Sequence, residues 1–536
     1  MLRHRLRALS MTLCLLIGVS DLNHAGEAAE PDEPAFGLVE ADLATIQAAF
    51  DAESLSAAVL TLAYLDRIDA LDVEGPRLNS LISVDAEVLA EARALDAERA
   101  KKGPRGPLHG VPIVVKDSVD SVGLPTTGGS AALRGHEPFY DATVVARLRD
   151  AGAIVLGKAN LSELQLPFGR YGYSSAGGQT RNPYNLRRTP HSCAAAAAVA
   201  ANLAVLGVGT DTVGELRGSA SVSALVGIRP TLGLTSRAGV IPTALSLDVT
   251  GPLARSVRDA AIMLDVMAGA DEADPRTAER VSVATLGYTD ALDADALKDA
   301  RIGILAQYKG GNREVDAAFQ QSLKTLKAQG AVTIEVKLPE ELDAGWQDML
   351  GRVLETELRD QLGAYLRNTE EGMPHSLADL LRMSESPLIA GSDSPVHSGR
   401  LGAYRNALQS PGLANLTYLD ILSYRMPAAR AALLALLDGK ELDALAMPTL
   451  LCPAASLLDD YDSSYECDVD DPARTAYLAS ATGFPEITLP MGFSEQGLPL
   501  GLSLLGRPFS EARLIALAYA LEQAEPHRRP PDLAAE

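Results

Sequence analysis

Residues 110–117 (Gly-Val-Pro-Ile-Val-Val-Lys-Asp) end an apolar run with two charged side chains, the first of them Lys116. Glycine and proline bound the run, which predicts a short buried strand. Removing an ammonium from water is costly, so we expect Lys116 to be either paired or functional. The structural alternative is a strand-end lysine whose ammonium reaches solvent.

Two further stretches combine small, polar and charged residues. Residues 209–219 follow the apolar run 203–208, which predicts a strand-to-loop turn whose backbone amides could bind an anion. Residues 190–193 (Pro-His-Ser-Cys) open an alanine-rich helix that runs to residue 204. His191 or Ser192 would cap that helix, and capping is the structural explanation for either residue.

The surrounding pattern predicts the elements that position these stretches. Apolar runs at 110–115 and 153–157 indicate strands on either side of a helix at 141–150, and the same alternation returns at 301–336. This alternation favours an α/β fold with a mostly parallel sheet. Residues 54–71 predict an amphipathic helix, and 346–437 a helix-rich insertion over one face. The apolar face of the first helix is predicted to contain Leu55, Val59, Leu62, Leu65 and Ile68.

Several motifs along the chain together resemble those of the amidase-signature hydrolases. Besides residues 110–117 they are Thr-Thr-Gly-Gly-Ser at 126–130, Gly-Lys-Ala-Asn-Leu-Ser-Glu at 157–163, Gly-Gly-Gln-Thr-Arg-Asn-Pro-Tyr at 177–184, Gly-Thr-Asp-Thr at 209–212 and Val-Gly-Ile-Arg-Pro-Thr at 226–231. The sequences of residues 177–184 and 528–531 are most similar to those of the bacterial peptide amidases, which remove C-terminal carboxamides. The resemblance covers nearly all of residues 26–536.

The resemblance implies one large mixed, mostly parallel β-sheet sandwiched between helices, with a site at the carboxyl ends of its central strands. It also implies a Ser–Ser–Lys triad, in which a lysine acts through a relay serine on a nucleophilic serine. Backbone amides just before the nucleophile form the oxyanion hole. At the matching positions these are the amides of Thr212, Val213 and Gly214. No cofactor or metal is implied, and the expected ligand is small and amide- or peptide-like.

The two serines of the triad are missing at the matching positions. Lys116 matches the family lysine, but Glu215 stands where the nucleophile belongs, and the relay position falls on His191 with Ser192 beside it. We expect Glu215 to form a buried ion pair with Lys116, which would keep the lysine protonated and unable to act as a base. Asp211 and Arg217 are expected to form a structural pair beneath the loop.

These departures favour a catalytically degenerate amidase, a pseudoenzyme that still binds an amide- or peptide-like ligand. The alternative is an active amidase or esterase with a displaced nucleophile, such as Ser192, Ser219 or Ser221, and with His191 or Lys116 as base. In another form, Glu215 and His191 would hydrolyse an activated ester through water by general acid–base catalysis. A third possibility is a structural role for the acidic residues 459–471, either as a calcium loop or as a solvated one.

The net charge and the N-terminal residues indicate which partners and which cellular compartment to expect. Lys and Arg number 47 against 70 Asp and Glu, a net charge of −23, which argues against binding to nucleic acid. Residues 1–25 combine a cationic start with a short apolar run, and this pattern predicts a signal peptide and an exported, periplasmic or secreted protein. No membrane span is predicted in the remaining chain.

The cysteines leave two possibilities open. Cys14 lies within the predicted signal peptide, so Cys193, Cys452 and Cys467 remain in the mature chain. In an oxidising compartment Cys452 and Cys467 could form a disulfide, with Cys193 buried and free. The alternative is three reduced thiols.

Overall fold

The computed structural model describes residues 36–166, 168–282, 287–339, 342 and 345–533. Residues 38–536 form one compact unit. The predicted signal peptide at 1–25 lies outside the described residues. Within the described part, no helix combines the length and the apolar character that a membrane crossing requires.

Thirteen strands are present in the described chain. They are Leu81–Val84 (β1), Pro112–Lys116 (β2), Ile154–Ala159 (β3), Tyr173–Ser174 (β4), Gly178–Gln179 (β5), Leu206–Asp211 (β6), Val226–Arg229 (β7), Val249–Ala254 (β8), Arg301–Leu305 (β9), Val332–Val336 (β10), Ala444–Pro448 (β11), Glu486–Phe493 (β12) and Pro499–Leu505 (β13).

Seventeen α-helices accompany these strands in the same residues. They are Leu43–Asp51 (α1), Ala57–Arg67 (α2), Val88–Lys102 (α3), Thr143–Asp150 (α4), Ala194–Ala200 (α5), Glu215–Ser221 (α6), Val257–Met267 (α7), Arg313–Ala328 (α8), Trp346–Glu357 (α9), Gly363–Leu366 (α10), Leu377–Ser384 (α11), Pro387–Ala390 (α12), Ser398–Gln409 (α13), Leu416–Asp420 (α14), Met426–Gly439 (α15), Tyr477–Thr482 (α16) and Glu511–Ala524 (α17). Single π-helical segments at Ile68–Val73, Leu358–Leu362 and Ile421–Arg425 extend three of the helices.

Eleven strands form one sheet in the order β1-β3-β2-β6-β8-β7-β12-β13-β11-β9-β10, while β4 and β5 pair separately. This confirms the predicted large mixed sheet in an α/β fold. The description as mostly parallel was wrong, because only four of the ten neighbouring pairs are parallel. The antiparallel pairs include β12 and β13, which are joined by a tight turn at 494–497, and short connections of this kind favour antiparallel pairing.

The parallel strands β3, β2 and β6 lie side by side, so their carboxyl ends meet at one edge of the sheet. β2 and β6 are buried along their whole length. Such strands appear in sequence as continuous apolar runs, which is why the sequence predicted both, although the runs 110–115 and 203–208 begin and end earlier than the strands themselves. Lys116 is the last residue of β2 and Asp211 the last of β6, and the candidate site lies at this edge.

Helix α2 forms where the sequence predicted it, but it buries a different face. Ser56 caps the helix by accepting a hydrogen bond from the backbone N–H of Val59. Leu60 and Tyr64 are buried, whereas Val59 and Leu62 are 58% and 48% exposed. The predicted face was therefore wrong at these two positions. Apolar residues lie on more than one side of this helix, and packing against α3 and β2 decides which side is covered.

The insertion at 346–437 is helical, as predicted, and shares a core with the sheet. Trp346, Leu350 and Leu433 pack in one buried cluster with Met447 of β11 and Leu505 of β13. Arg400 of α13 is buried, and its guanidinium donates to the backbone carbonyls of residues 163, 164 and 166. The insertion thereby holds the loop that follows β3.

Cys452 and Cys467 form a disulfide, and Cys193 is buried and free, which decides between the two cysteine alternatives.

The acidic loop between Cys452 and Cys467 is bound by arginines. Asp460 pairs with Arg187 at 3.0 Å and Asp462 with Arg188 at 2.9 Å. In the residues that the structure describes, no group of three His, Cys, Asp or Glu side chains is arranged to hold a metal ion.

Candidate functional site

Lys116 lies fully buried at the end of β2, but it does not pair with Glu215. Its ammonium donates hydrogen bonds to Thr210 Oγ1 at 2.7 Å and to Gln165 Oε1 at 2.9 Å. Both residues are described, and none of the ion pairs found in the described chain joins Lys116 to Glu215. The expected buried ion pair is therefore wrong, because neutral oxygens from a neighbouring strand and loop take the ammonium.

Glu215 opens helix α6 and turns its carboxylate back onto the preceding backbone. Its Oε2 accepts the N–H of Thr212 at 2.7 Å and the N–H of Val213 at 2.8 Å. The N–H of Gly214 donates to Asp211 Oδ1 at 3.2 Å. All three amides predicted to form the oxyanion hole thus donate within the chain, and two of them bind the side chain at the position predicted for the nucleophile.

The environment of Glu215 disfavours its charge. Burial raises the pKa of Glu215, and the nearby charge of Asp211 raises it further, while the charge of Lys116 acts in the opposite direction. The second carboxylate oxygen, Oε1, is shielded from solvent and has no hydrogen-bond partner. A buried polar atom left without a partner costs free energy unless a ligand or a proton satisfies it.

Asp211 organises the turn that carries Glu215. Its carboxylate binds Arg217 at 2.9 Å and Arg229 at 2.7 Å, and Arg217 also binds Glu486 at 2.7 Å. Burial alone would raise the pKa of Asp211, but the charges of the two arginines outweigh burial and hold the pKa below its usual range. The predicted pair of Asp211 and Arg217 is confirmed as part of this buried network.

His191, which the sequence predicts at the relay position, has a left-handed backbone with φ 63°. Its ring stacks on Tyr171 with 4.7 Å between centroids and lies against Gly218, where a Cβ atom would come within 2.6 Å of two ring atoms. Burial lowers the pKa of His191 to about 4, so the imidazole is neutral at pH 7. Its Nδ1 is shielded and has no hydrogen-bond partner.

Two of the three serines considered as displaced nucleophiles, Ser192 and Ser219, are engaged in other contacts. Ser192 Oγ accepts a hydrogen bond from Ser162 Oγ at 3.0 Å, and Ser162 Oγ accepts the N–H of Gly172. Ser219 Oγ donates to the carbonyl of Glu215 at 2.6 Å and accepts the N–H of Cys193. In the described chain, the hydrogen bonds of the Lys116 ammonium reach no serine.

Sequence reasoning missed several residues that complete the site. Gln165 follows the 157–163 motif, and Thr210 lies within the 209–212 motif, but neither motif indicates a bond to Lys116 across 49 and 94 residues of sequence. Tyr171 and Asp248 carried no sequence signal. Asp248 accepts the hydroxyl of Thr212 at 2.7 Å and the backbone N–H groups of residues 243 and 244.

Comparison with known proteins decides the family. The sequence profile described as Amidase matches residues 59–515. This chain belongs to the amidase-signature family. Its structure is similar to that of native peptide amidase from Stenotrophomonas maltophilia, with 38% identity, a TM-score of 0.83, and coverage of 93% of this chain and 99% of that chain.

Among curated proteins, a probable amidase of Arabidopsis thaliana is 32% identical over 511 residues, which are 92% of each chain. A glutamyl-tRNA(Gln) amidotransferase subunit from Burkholderia thailandensis is 43% identical over 308 residues. That second match spans 55% of this chain and 61% of the relative's length. Both relatives place the chain among amidases and amidotransferase subunits, and neither decides its activity.

Truncating Glu215 should open the anion site that its carboxylate fills. In Glu215→Ala the N–H groups of Thr212 and Val213 lose their acceptor, and we expect a cost of about 1–3 kcal/mol for each unsatisfied group. Added acetate should then raise the melting temperature of Glu215→Ala, because a ligand of the folded state stabilises it. Differential scanning fluorimetry with and without sodium acetate measures this effect.

Glu215→Gln is the control, because its amide oxygen still accepts both N–H groups and leaves no room for acetate. Sodium chloride at matched ionic strength corrects for salt. Equal acetate responses of the Ala and Gln variants would contradict the assignment of these amides as an anion site.

Asp248 should make stability fall with rising pH. Burial raises the pKa of Asp248 to about 7 from the ordinary 3.8. Between about pH 4 and pH 7 the folded protein keeps a proton that the unfolded chain has released, so the free energy of unfolding decreases by up to about 1.4 kcal/mol per pH unit. Urea unfolding of wild type and Asp248→Asn across this window should show a steeper decrease in wild type, and the difference between the two slopes is the contribution of Asp248. Other buried carboxyls with a raised pKa, such as Asp259 and Glu522, contribute equally to both proteins. Asp468→Asn, which alters an exposed carboxyl, should keep the wild-type slope.

Proposed function

We propose that this protein uses the amidase-signature scaffold to bind an amide- or peptide-like ligand and does not hydrolyse it by the family's triad. The observation that supports the proposal best is the carboxylate of Glu215 bound to the amides of Thr212 and Val213. In a hydrolase these amides must donate to the oxygen of the scissile carbonyl as it gains charge. Here that place is occupied by the protein itself.

The general base is also disabled under this proposal. An amide is attacked by a hydroxyl only if a nearby neutral base removes its proton. The ammonium of Lys116 is held by two neutral oxygens and has no hydroxyl nucleophile among its hydrogen-bond partners in the described chain. His191 at the relay position is neutral, but its ring is stacked on Tyr171 and packed against Gly218.

The peptide-like ligand class is supported by the relatives. A peptide amidase with 38% identity and a TM-score of 0.83 has been solved in complex with the competitive inhibitor chymostatin. Arg400 ties the helical insertion to the loop that carries Gln165, so the insertion supports one wall of the site. Ligand selectivity should therefore depend on this insertion.

The decisive measurement is hydrolysis of a panel of dipeptide carboxamides and an activated ester by the purified mature protein. We expect that wild type shows no turnover that depends on Lys116 or Ser192. Any background hydrolysis should therefore be the same in Lys116→Ala and in Ser192→Ala. Glu215→Ser alone should remain without carboxamide turnover, because the relay position is still His191. Melting temperatures of all variants, measured with and without a dipeptide carboxamide, show whether they fold and bind.

Turnover of wild type that Lys116→Ala abolishes would refute the proposal and identify a relocated nucleophile. Loss of that turnover in Ser192→Ala would assign the nucleophile to Ser192. Efficient hydrolysis by Glu215→Ser would show that the loop around His191 still relays protons.

We further propose that the protein is exported after removal of residues 1–25. The disulfide between Cys452 and Cys467 supports this proposal, because disulfides persist in oxidising compartments. Mass spectrometry of the protein recovered from an exporting host should show a mature chain that starts near residue 26. Thiol alkylation after denaturation should modify Cys193 alone, and all three mature-chain cysteines after reduction. A chain that retains its first 25 residues in the host would contradict the proposal.

A further inference from the structure

Tyr171 and Tyr477 lie near the start of helix α6, which Glu215 opens. Tyr171 stacks on His191, and the His191 ring lies against Gly218, one turn along the helix from Glu215. This stacking holds the Tyr171 ring beside the helix that Glu215 opens.

Tyr477 follows a residue that is packed on the same turn. The carbonyl of Ala476 accepts a hydrogen bond from Arg217 at 3.0 Å, and a Cβ atom on Gly214 would lie 2.6 Å from the Cβ of Ala476. Residue 476 is thus packed on the turn that precedes Glu215, and Tyr477 is the next residue. The carboxylate of Asp471 is close enough to Tyr477 to raise the pKa of its phenol.

The electrostatics agree with this placement of the two tyrosines beside Glu215 and Asp471. Burial, then the charges of Asp471 and Glu215, raise the pKa of Tyr171 to about 12. Burial and the same two carboxylates raise the pKa of Tyr477 well above its usual value. Both phenols therefore stay protonated and neutral at physiological pH, and both carboxylates act on both rings.

The charge balance of the cluster admits a cation. Asp211 and Glu486 cancel the charges of Arg217 and Arg229, with which they form ion pairs. His191 is neutral, since burial lowers its pKa to about 4.

With Glu215 ionised, Lys116 offsets one of the two carboxylates, Glu215 and Asp471, so one negative charge remains. Glu215 Oε1 is the buried acceptor left without a partner.

We propose that this cluster, made of Glu215, Asp471, Tyr171 and Tyr477, binds an organic ammonium group. Glu215 Oε1 accepts an N–H of the ligand, the tyrosine rings offer their faces to the cation, and Asp471 supplies further negative charge. The inference rests on the proposed function, in which Glu215 is not a nucleophile. Its carboxylate is then free to bind a cation instead of attacking a carbonyl. The polarity of the site is thereby reversed relative to a hydrolase.

Isothermal titration calorimetry with benzylammonium chloride tests this inference. Benzyl alcohol is the neutral isostere, and we expect it to bind at least about tenfold more weakly. Glu215→Gln replaces the charge with an isosteric amide and should reduce benzylammonium affinity by about tenfold or more. Tyr171→Leu should reduce it by a smaller factor, about threefold to tenfold, as expected for loss of one ring face.

Asp468→Asn is the matched control, because it removes an exposed carboxyl of the neighbouring loop, and its affinity should equal that of wild type. Circular dichroism and melting temperature show whether each variant is folded. Benzylammonium affinity that is unchanged in Glu215→Gln, or equal to that of benzyl alcohol, would overturn the inference.

The same samples are assayed for dipeptide carboxamide hydrolysis, which separates the two proposals. Turnover that disappears in Lys116→Ala would overturn the proposed function, whatever the calorimetry shows. Absence of turnover together with an unaltered benzylammonium affinity in Glu215→Gln would overturn only the ammonium site.

Discussion

The buried carboxylate of Asp211 is the constraint on which the site depends. It stands at the end of β6, where it receives Arg217, Arg229 and the backbone N–H of Gly214. A buried charge is tolerated only when its partners compensate for lost hydration, and here two guanidinium groups do so. Because each partner comes from a different place in the chain, the network holds the turn, helix α6 and strand β7 in one arrangement. The direction of the backbone amides before Glu215 follows from that arrangement.

Within this rigid turn, a single change of side chain alters what the amides do. A serine at position 215 would be too short to reach back to the N–H groups of Thr212 and Val213, and they would remain available to a substrate oxygen. The longer side chain of Glu215 reaches them and satisfies both. The chain thus combines the amidase-signature fold, a buried lysine and the network around Asp211 with a turn whose amides at residues 212 and 213 donate to Glu215.

Two residues far apart in sequence, Lys116 and Arg400, bind the loop that follows β3. Gln165 binds Lys116, and Arg400 of the insertion binds the carbonyls on both sides of Gln165. The lysine is consequently held by the loop after β3, and the insertion holds that loop. A change in the insertion would reach the site through these hydrogen bonds rather than through direct contact with a ligand.

The sequence by itself determined the family, the α/β class and the two buried strands at the site, the first of them with Lys116 at its end. It also predicts that both triad serines are absent from their expected positions. These features are local: apolar runs, glycine and proline boundaries, and motifs in a set order. The tertiary structure decided which partner each buried polar group takes. Lys116 meets Thr210 and Gln165 instead of Glu215, because a buried charge pairs with whatever oxygens the fold brings nearest.

Contacts between residues that are distant in sequence also explain the other differences between the sequence predictions and the structure. The strand order made most neighbouring pairs antiparallel, and packing selected which side of α2 is buried. The Cys452–Cys467 bond required the ends of an acidic loop to meet. Each of these outcomes joins residues that are distant in sequence, so local pattern leaves them open, and close packing of the folded chain decides them.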